Sequence, residues 1–463
     1  MAGAEDNRSA LRFAPWLAFV VVVVAALFLG LRIGGRSVDF PVYYRTVHSW
    51  RAHGPIYGPH SGLGWPMYYR YPPVFLLLFF PLALLPLAWA AAIWLAGKVA
   101  VLLLLGRAFA RRFGWPRLAQ FAATWRGPER NGPPMPAKEF PSGNSASKEF
   151  PLGNSAFNEA GPQPRPQSEA RPAASRNRAA QPSLLPWLPA LLLLAPYLVL
   201  EFRYGNVQFY VVALCVAALL VVPRRPRCAG ALLGLGIAVK VWPLFFVPYW
   251  LAARRWRAAA AAVIAAVLLT AAPALVFGWS GNFALLHAWA AQERETALHA
   301  GTIWYASQSL RGVMTRALPL GAALVTRLWL PLDLAAYVAF LFYAKASLRR
   351  GAALETVGAA FCLLAILAPF THVKDLVLFV WPAVAVAVLV ARPAEKGSAL
   401  ARGLCWAAAI LAGVIPLVPG AAAQHRLQLA GADFVVLCLL AAGLLLAMRR
   451  GSATPPHASC GAD

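Results

Sequence analysis

The stretch FAPWLAFVVVVVAALFLGLR, at residues 13–32, decides the class of this protein. It contains an unbroken apolar run from Val20 to Leu29, and Arg8 and Arg12 stand just before it. A helix of about 20 apolar residues spans the hydrocarbon core of a bilayer. Because no pair of small residues marks a cleavage site at its end, we expect an uncleaved first membrane helix with the N-terminus inside.

The whole chain shares this apolar character. Of its 463 residues, 60% are hydrophobic and only 13% are charged, whereas soluble proteins carry about 25% charged residues. Apolar runs without a polar residue at every second position are typical of spanning helices rather than of strands. The composition therefore predicts an all-α polytopic integral membrane protein without a separate soluble domain.

We expect about twelve membrane helices. An even number places both termini inside, and the arginine-rich joints between spans then lie on the cytoplasmic side, as the positive-inside rule requires. Residues 73–86 are apolar but short and bounded by prolines, and we interpret them as a half-helix or re-entrant segment on the outer side. The arginine-rich joints follow residues 107, 222, 252, 345, 391 and 448. The predicted spans are residues 13–32, 88–107, 184–200, 207–222, 228–239, 241–252, 257–277, 329–345, 352–369, 374–391, 399–418 and 431–448.

This topology divides the chain into membrane helices with two outer loops, an insertion and a tail. The insertion is rich in Pro, Gly, Ser and Arg, which is typical of a disordered cytoplasmic segment. The parts are residues 1–107 with a first outer loop at 33–72, the insertion at 108–183, residues 184–448 with a second outer loop at 278–328, and a cytoplasmic tail at 449–463.

A ten-residue unit is repeated inside the insertion, as KEFPSGNS at 138–145 and KEFPLGNS at 148–155. Two copies are too few for a solenoid. The repeat is either an insertion that a loop tolerates or a site for a partner, and the sequence favours the first.

The net charge of +25 does not indicate a nucleic-acid partner, because the arginines at the cytoplasmic joints account for it. The six cysteines are scattered, mostly inside apolar runs, with no C-x-x-C spacing. The sequence therefore predicts neither a disulfide framework nor a metal site.

Polar side chains gather on the outer face of this topology, where ionisable groups near membrane helices often mark function. Aromatic faces pack on sugar rings, and cations neutralise phosphates. A cleft of this kind suits a sugar attached to a phosphate. The alternatives are anchoring of the cations at the interface and an aromatic belt. The candidates are Tyr43, Tyr44, Tyr57, Tyr71, Arg203, Asn206, Gln208, Lys240, Gln308, His372 and Lys374.

Asp39 is the only carboxylate in the first outer loop. A carboxylate at the boundary between water and bilayer can act as a general base, and its isolation makes Asp39 the natural candidate there. The alternative is that Asp39 caps a helix in the loop.

Several short motifs follow one another along the chain, namely Asp39-Phe40-x-Val42-Tyr43-Tyr44, Gly54-x-Ile56-Tyr57, Tyr71-Pro72-Pro73, Gly234-Leu235-Gly236-Ile237-Ala238-Val239-Lys240 and Gln308-Ser309-Leu310-x-Gly312. In this order they resemble the polyprenyl-phosphate-sugar-dependent membrane glycosyltransferases of family 87, which include polyprenyl-phosphate-mannose-dependent α-mannosyltransferases. The likeness covers nearly the whole chain apart from the insertion. One departure is Gly205-Asn206-Val207-Gln208, where the family usually has Gly-Gln-x-Asn.

The resemblance implies a GT-C-type fold with catalytic outer loops, in which Asp39 takes the proton of the acceptor hydroxyl. It implies a polyprenyl-phosphate donor whose phosphate is held by Lys240, His372, Lys374 and Arg203. The tyrosines and amides named above would then bind the sugar or the acceptor.

We therefore expect an inverting transferase, most simply a mannosyltransferase. It would act on a lipid-linked or glycan acceptor at the outer, periplasmic face of the plasma membrane, as a monomer among membrane lipids and without a cofactor. The alternative is a transporter or a flippase for a lipid-linked sugar. Transport needs a polar pathway through the membrane and usually internal repeats, whereas the polar residues here lie on one side.

Overall fold

The computed structural model describes residues 18–32, 36–58, 67–113, 187–300, 307–318, 322–392 and 398–449. Within these ranges the chain is helical, and the isolated bridge between Ser307 and His372 is the only β-type pairing. The insertion at 108–183 lies outside the described residues from residue 114 onward, so its disorder and the role of its repeat stay predictions.

The helices follow one another through short turns, and we number them in chain order. The first nine are α1 (Ala18–Arg32), α2 (Phe40–Arg51), α3 (Pro73–Ala83), α4 (Leu87–Phe113), α5 (Trp187–Tyr204), α6 (Gln208–Val221), α7 (Pro226–Val239), α8 (Phe246–Ala252) and α9 (Trp256–Ala271). The next eight are α10 (Ala274–Ala300), α11 (Leu310–Ala317), α12 (Ala322–Arg349), α13 (Ala353–Leu367), α14 (Val380–Ala391), α15 (Ser398–Val414), α16 (Ala421–Leu429) and α17 (Ala432–Met448). Three 3₁₀ turns, Trp242–Phe245, Val373–Phe379 and Ile415–Leu417, precede α8, precede α14 and follow α15.

Apolar helices of spanning length confirm a multi-pass membrane protein. Two bent pairs, α9 with α10 at 91° and α16 with α17 at 52°, raise the number of candidate spans from five to seven in the described part. Shorter apolar helices accompany them, and the total of twelve stays a prediction. The five full-length candidates are Leu87–Phe113, Trp187–Tyr204, Arg327–Arg349, Val373–Ala391 and Ser398–Leu417.

Prolines explain where the helices differ from the predicted spans. Residues 241–252 form a 3₁₀ turn and a seven-residue helix, because Pro243 and Pro248 lack backbone donors. The predicted span 257–277 is bent next to Pro273. Much of the predicted second outer loop, 278–328, is helical, as α10 and α11 show.

Two glycines let α7 lie close against α9. A Cβ at Gly230 would lie 2.5 Å from that of Ala261, and a Cβ at Gly234 would lie 2.6 Å from that of Ala265. Small residues one turn apart allow two membrane helices to approach closely. This packing fixes the end of α7, where Lys240 follows.

An aromatic cluster holds α2 against α3 and α4. The ring centroids of Tyr43 and Phe75 are 5.1 Å apart, those of Phe40 and Phe79 are 5.4 Å apart, and those of Phe79 and Trp94 are 5.6 Å apart. Such pairs contribute about 0.5–1.5 kcal/mol each beyond the area they bury. The cluster fixes the start of α2, where Asp39 stands.

Candidate functional site

Asp39 lies at the first position before α2, yet its side chain makes no capping hydrogen bond. Its Oδ2 accepts hydrogen bonds from Asn206 Nδ2 at 2.7 Å and from Lys374 Nζ at 2.5 Å. Its backbone N–H donates to the carbonyl of Tyr204 at 2.8 Å. The residue is only 6% exposed. The capping alternative is therefore wrong for the side chain, which turns toward the helices that follow.

The turn between α5 and α6 supplies Asn206. Gly205 has a φ of 70°, and a Cβ there would lie 2.9 Å from Cβ of Phe40, so only glycine fits this left-handed turn. The Oδ1 of Asn206 accepts from the backbone N–H of Gln208 at 2.8 Å. With Oδ1 so occupied, its Nδ2 faces Asp39 as a donor.

Two tyrosines extend the network on the other side of Asn206. The hydroxyl of Tyr71 donates to Asn206 Oδ1 at 3.3 Å and lies 2.9 Å from that of Tyr43, which accepts the backbone N–H of Val207. Burial raises the pKa of both phenols well above 10. Both therefore stay protonated, and their hydroxyls act as a fixed chain of donors rather than as bases.

Lys240 enters the cluster from the end of α7. Its Nζ donates to Gln208 Oε1 at 2.7 Å and lies 3.7 Å from Asp375 Oδ1. The same Gln208 oxygen accepts from Trp242 Nε1 at 3.2 Å. Burial lowers the pKa of the Lys240 ammonium, and the carboxylate of Asp375 opposes that shift. The side chain keeps 25% of its surface exposed, so this cation is still accessible.

The turn before α14 supplies Lys374 and His372. His372 Nδ1 accepts the backbone N–H of Lys374 at 3.2 Å, and Asp375 Oδ2 accepts the backbone N–H of His372 at 3.1 Å. Burial and then the Lys374 ammonium lower the pKa of His372 to about 4. The ring is therefore neutral at physiological pH, with its proton on Nε2.

Gln308 anchors this turn from behind. Its backbone N–H donates to the carbonyl of Thr371 at 2.7 Å, next to the bridge between Ser307 and His372. Its side chain donates to the carbonyl of Gln428 at 3.0 Å and accepts from the backbone N–H of Phe434 at 3.3 Å. Gln308 is fully buried. The structure thus shows it positioning the His372 turn.

Most of the predicted site residues meet, and the others lie apart. Tyr57 donates to the backbone carbonyl of Tyr71 at 2.8 Å and supports that residue. Tyr44 donates to the carbonyl of Leu85 and packs on His48, away from the carboxylate. Arg203 is exposed at the end of α5, with no hydrogen bond to the cluster among the described residues. The residues that do meet are named here the Asp39 network. It consists of Asp39, Tyr43, Tyr71, Asn206, Gln208, Lys240, Lys374, Asp375 and, at its edge, His372.

A second buried ion pair, which the sequence analysis missed, lies beside this network. Lys98 Nζ on α4 donates to Glu201 Oε2 on α5 at 2.6 Å, and Glu201 Oε1 accepts the backbone N–H of Phe209 at 2.9 Å. Both side chains are 0% exposed. The signal was a lysine in the middle of the predicted span 88–107, since charges at that depth are costly and rarely incidental.

The segment just before α3 is also joined to α10. Arg70 makes two hydrogen bonds of 3.0 Å to the carboxylate of Glu293, and Gln292 Nε2 donates to the carbonyl of Tyr69 at 2.6 Å. These contacts tie the two residues before Tyr71 to α10 and so help to hold Tyr71 in place.

The Asp39 network balances its charges, with two carboxylates, Asp39 and Asp375, against two lysines, Lys240 and Lys374. Within the described ranges no group of three His, Cys, Asp or Glu side chains could hold a metal ion. The network offers a carboxylate that can accept a proton beside cations that can meet an anion.

Comparison with known sequences identifies the family. The sequence profile of glycosyltransferase family 87 matches residues 69–130 and 170–371, more than half of the chain. The chain therefore belongs to glycosyltransferase family 87. Tyr71, Asn206 and Lys240 lie inside the matched ranges, whereas Asp39 precedes them and Lys374 follows them. No curated protein and no solved structure gives a significant match.

Proposed function

We propose that this family 87 glycosyltransferase moves a sugar, most simply mannose, from a polyprenyl phosphate to a hydroxyl of a lipid-linked or glycan acceptor. The observation that carries the proposal is a buried carboxylate with a lysine on its proton-accepting oxygen and a second lysine in the same network. Proton acceptance and neutralisation of a phosphate are the two tasks of such a transfer. Family membership favours this reaction over the transporter or flippase alternative.

The reaction would be a single displacement with inversion at the anomeric carbon. The acceptor oxygen forms a bond to that carbon while the bond from the carbon to the phosphate oxygen breaks. Asp39 takes the hydroxyl proton, and the polyprenyl phosphate leaves with the electron pair. Because phosphate is a good leaving group, the step needs cations near the departing oxygen more than a strong acid.

Lys374 would change partners during this cycle. Without substrate its ammonium pairs with Asp39 and occupies Oδ2 of that carboxylate. A donor phosphate near Lys240 and Lys374 would attract both ammonium groups. Asp39 would then be left with the Asn206 amide, and the place that the ammonium held would be open to the acceptor hydroxyl.

The amide and hydroxyl groups around Asp39 would orient the substrates. Asn206 fixes the carboxylate through its Nδ2. Tyr71, whose ring lies 5.8 Å from Lys240 Nζ, would offer an aromatic edge to the sugar. We place this network on the outer face of the plasma membrane, because the arginine-rich joints lie at the other end of α6, α4 and α12.

The test is an assay of purified protein with radiolabelled polyprenyl-phosphate mannose and total membrane lipid as acceptor. Arabinose and glucose donors on the same lipid, and a nucleotide-linked mannose, are run in parallel. We expect label to enter lipid from one polyprenyl-phosphate donor and none from the nucleotide sugar. Transfer from the nucleotide sugar alone would contradict the proposed donor class.

A further inference from the structure

A cavity of about 490 Å³ lies at the end of the helix bundle opposite the Asp39 network. The two sites are separated by the length of α6, which begins at Gln208 in the network and ends at Val221 beside the cavity. Fourteen helical residues extend for about 21 Å. The cavity is therefore independent of the proposed transfer site, and its volume is within the usual range of about 300–1,000 Å³ for ligand pockets.

Five cations from three different parts of the fold line this cavity. Lys345 and Arg349 stand one turn apart on α12, and Arg254 and Arg255 lie in the turn after α8. Arg112, near the end of α4, is the fifth. All five are exposed.

No carboxylate lines the cavity among the residues that the structure describes. Glu355, one residue beyond Leu354 of the lining, pairs instead with Arg392 at 2.5 Å. The described part of the chain contains no ion pair for any of the five cations. This contrasts with the Asp39 network, where each lysine has a carboxylate, and it indicates a site for an anion that the described part of the chain does not supply.

Arg254 is held in a conformation that favours glycine. Its φ is 57°, in the left-handed region that usually ends a helix with glycine. An arginine here costs some backbone strain. Glycine would adopt this backbone conformation without strain, but Arg254 brings a guanidinium group to the cavity.

Most of the remaining lining is apolar and includes Leu219, Trp250, Leu348, Leu354 and Trp381. An inorganic anion would gain nothing from such walls, whereas an amphiphile would use both the cations and the apolar surface. The chain's own insertion is a poor occupant, since residues 114–183 contain nine Lys and Arg against five Glu.

We propose that this cavity binds the phosphate headgroup of an acidic phospholipid from the cytoplasmic leaflet, with its acyl chains on the apolar wall. Basic pockets between membrane helices on the cytoplasmic side bind such headgroups. Guanidinium groups pair with phosphate in a bidentate manner. The site is distinct from the donor site, and it does not depend on which reaction the protein catalyses.

The test measures binding of phosphatidylglycerol and of phosphatidylcholine to the full-length purified protein by native mass spectrometry. The cavity variant is Arg255→Gln/Arg349→Gln. The matched control is Arg224→Gln/Arg227→Gln, which removes the same charge from exposed residues at the same end that do not line the cavity. We expect phosphatidylglycerol to bind the cavity variant about 10- to 100-fold more weakly than the control. Phosphatidylcholine should bind weakly throughout.

Equal phosphatidylglycerol affinity in the cavity variant and the control would overturn the proposal. Displacement of the lipid by millimolar inorganic phosphate would also overturn it, because the site would then bind a soluble phosphate. If the double variant does not fold, Lys345→Gln alone should still weaken phosphatidylglycerol binding by about fivefold. An unchanged affinity in that single variant would count equally against the site.

Discussion

The two buried ion pairs, Asp39–Lys374 and Lys98–Glu201, use the same chemistry in different surroundings. The side chains of Lys98 and Glu201 are 0% exposed, whereas those of Lys374 and Asp39 are 12% and 9% exposed. The Lys98–Glu201 pair joins α4 to α5 and to the start of α6, and it is closed to solvent. The Asp39–Lys374 pair lies in a network with another lysine and another carboxylate. A closed pair of this kind fixes helices, while an open one can exchange partners with a substrate.

The largest expected effect is a loss of stability when the closed Lys98–Glu201 pair is broken. Glu201→Gln leaves the Lys98 ammonium buried without a counter-charge, and we expect it to lower the free energy of unfolding by about 3–5 kcal/mol. The double variant Lys98→Met/Glu201→Met removes both charges at similar volume and should lie near the wild type. Denaturant unfolding in detergent measures both.

A free energy of unfolding of Glu201→Gln equal to that of the wild type would contradict the structural role of the Lys98–Glu201 pair. The double variant is the control, because it separates an unpaired charge from a general loss of packing. Transfer per folded molecule should change little in either variant.

The second-largest expected effect is on donor binding by the Asp39 network. Lys240→Met should weaken use of the polyprenyl-phosphate sugar by about 10- to 150-fold, because it removes a charge-assisted contact. His372→Ala should weaken it only about 2- to 13-fold, because a neutral imidazole gives an ordinary hydrogen bond. Apparent donor affinity at saturating acceptor distinguishes the two.

A larger loss in His372→Ala than in Lys240→Met would contradict the charge assignment. The effect of His372 should also be constant from about pH 5.5 to 8, since the pKa of its imidazole is lowered to about 4. Arg203→Gln is the matched control for charge, because Arg203 is exposed and lies outside the Asp39 network.

The smallest effect is expected from the insertion. Deleting residues 130–178 should leave unfolding and transfer close to those of the wild type, because segments rich in small and polar residues tolerate change. Unfolding and transfer are measured on the deletion at matched expression. Loss of activity in a stably expressed deletion would show that the KEFP repeat is needed for transfer.

The sequence predicted the helical membrane class and several spans closely, because apolar composition alone fixes these features. The predicted span 88–107 corresponds to Leu87–Phe113, and 399–418 corresponds to Ser398–Leu417. The helix break next to Pro243 and the bend next to Pro273 were less predictable, since a proline can start, kink or end a helix according to its packing. The helix Ala274–Ala300 was missed because its polar residues resemble those of a loop.

The sequence indicated individual residues of the Asp39 network but not which of them are in contact. Asp39, Lys240 and Lys374 stand out as polar residues beside apolar helices. The link between Asp39 and Lys374 spans more than 300 positions, and no local pattern encodes it. Lys98 was visible as a charge within a span, but its partner Glu201 could be identified only once α4 and α5 were seen to pack together.

The proposed role of Asp39 is tested most directly by the transfer rate of Asp39→Asn at saturating donor and matched expression. Asparagine keeps the size of the side chain and can still accept the bonds from Asn206 and Lys374, but it cannot take a proton. We expect folding and donor binding to persist while transfer falls by about 10²–10⁴-fold, the usual loss for a general base. Transfer by Asp39→Asn at the wild-type rate would show that this carboxylate is not the base.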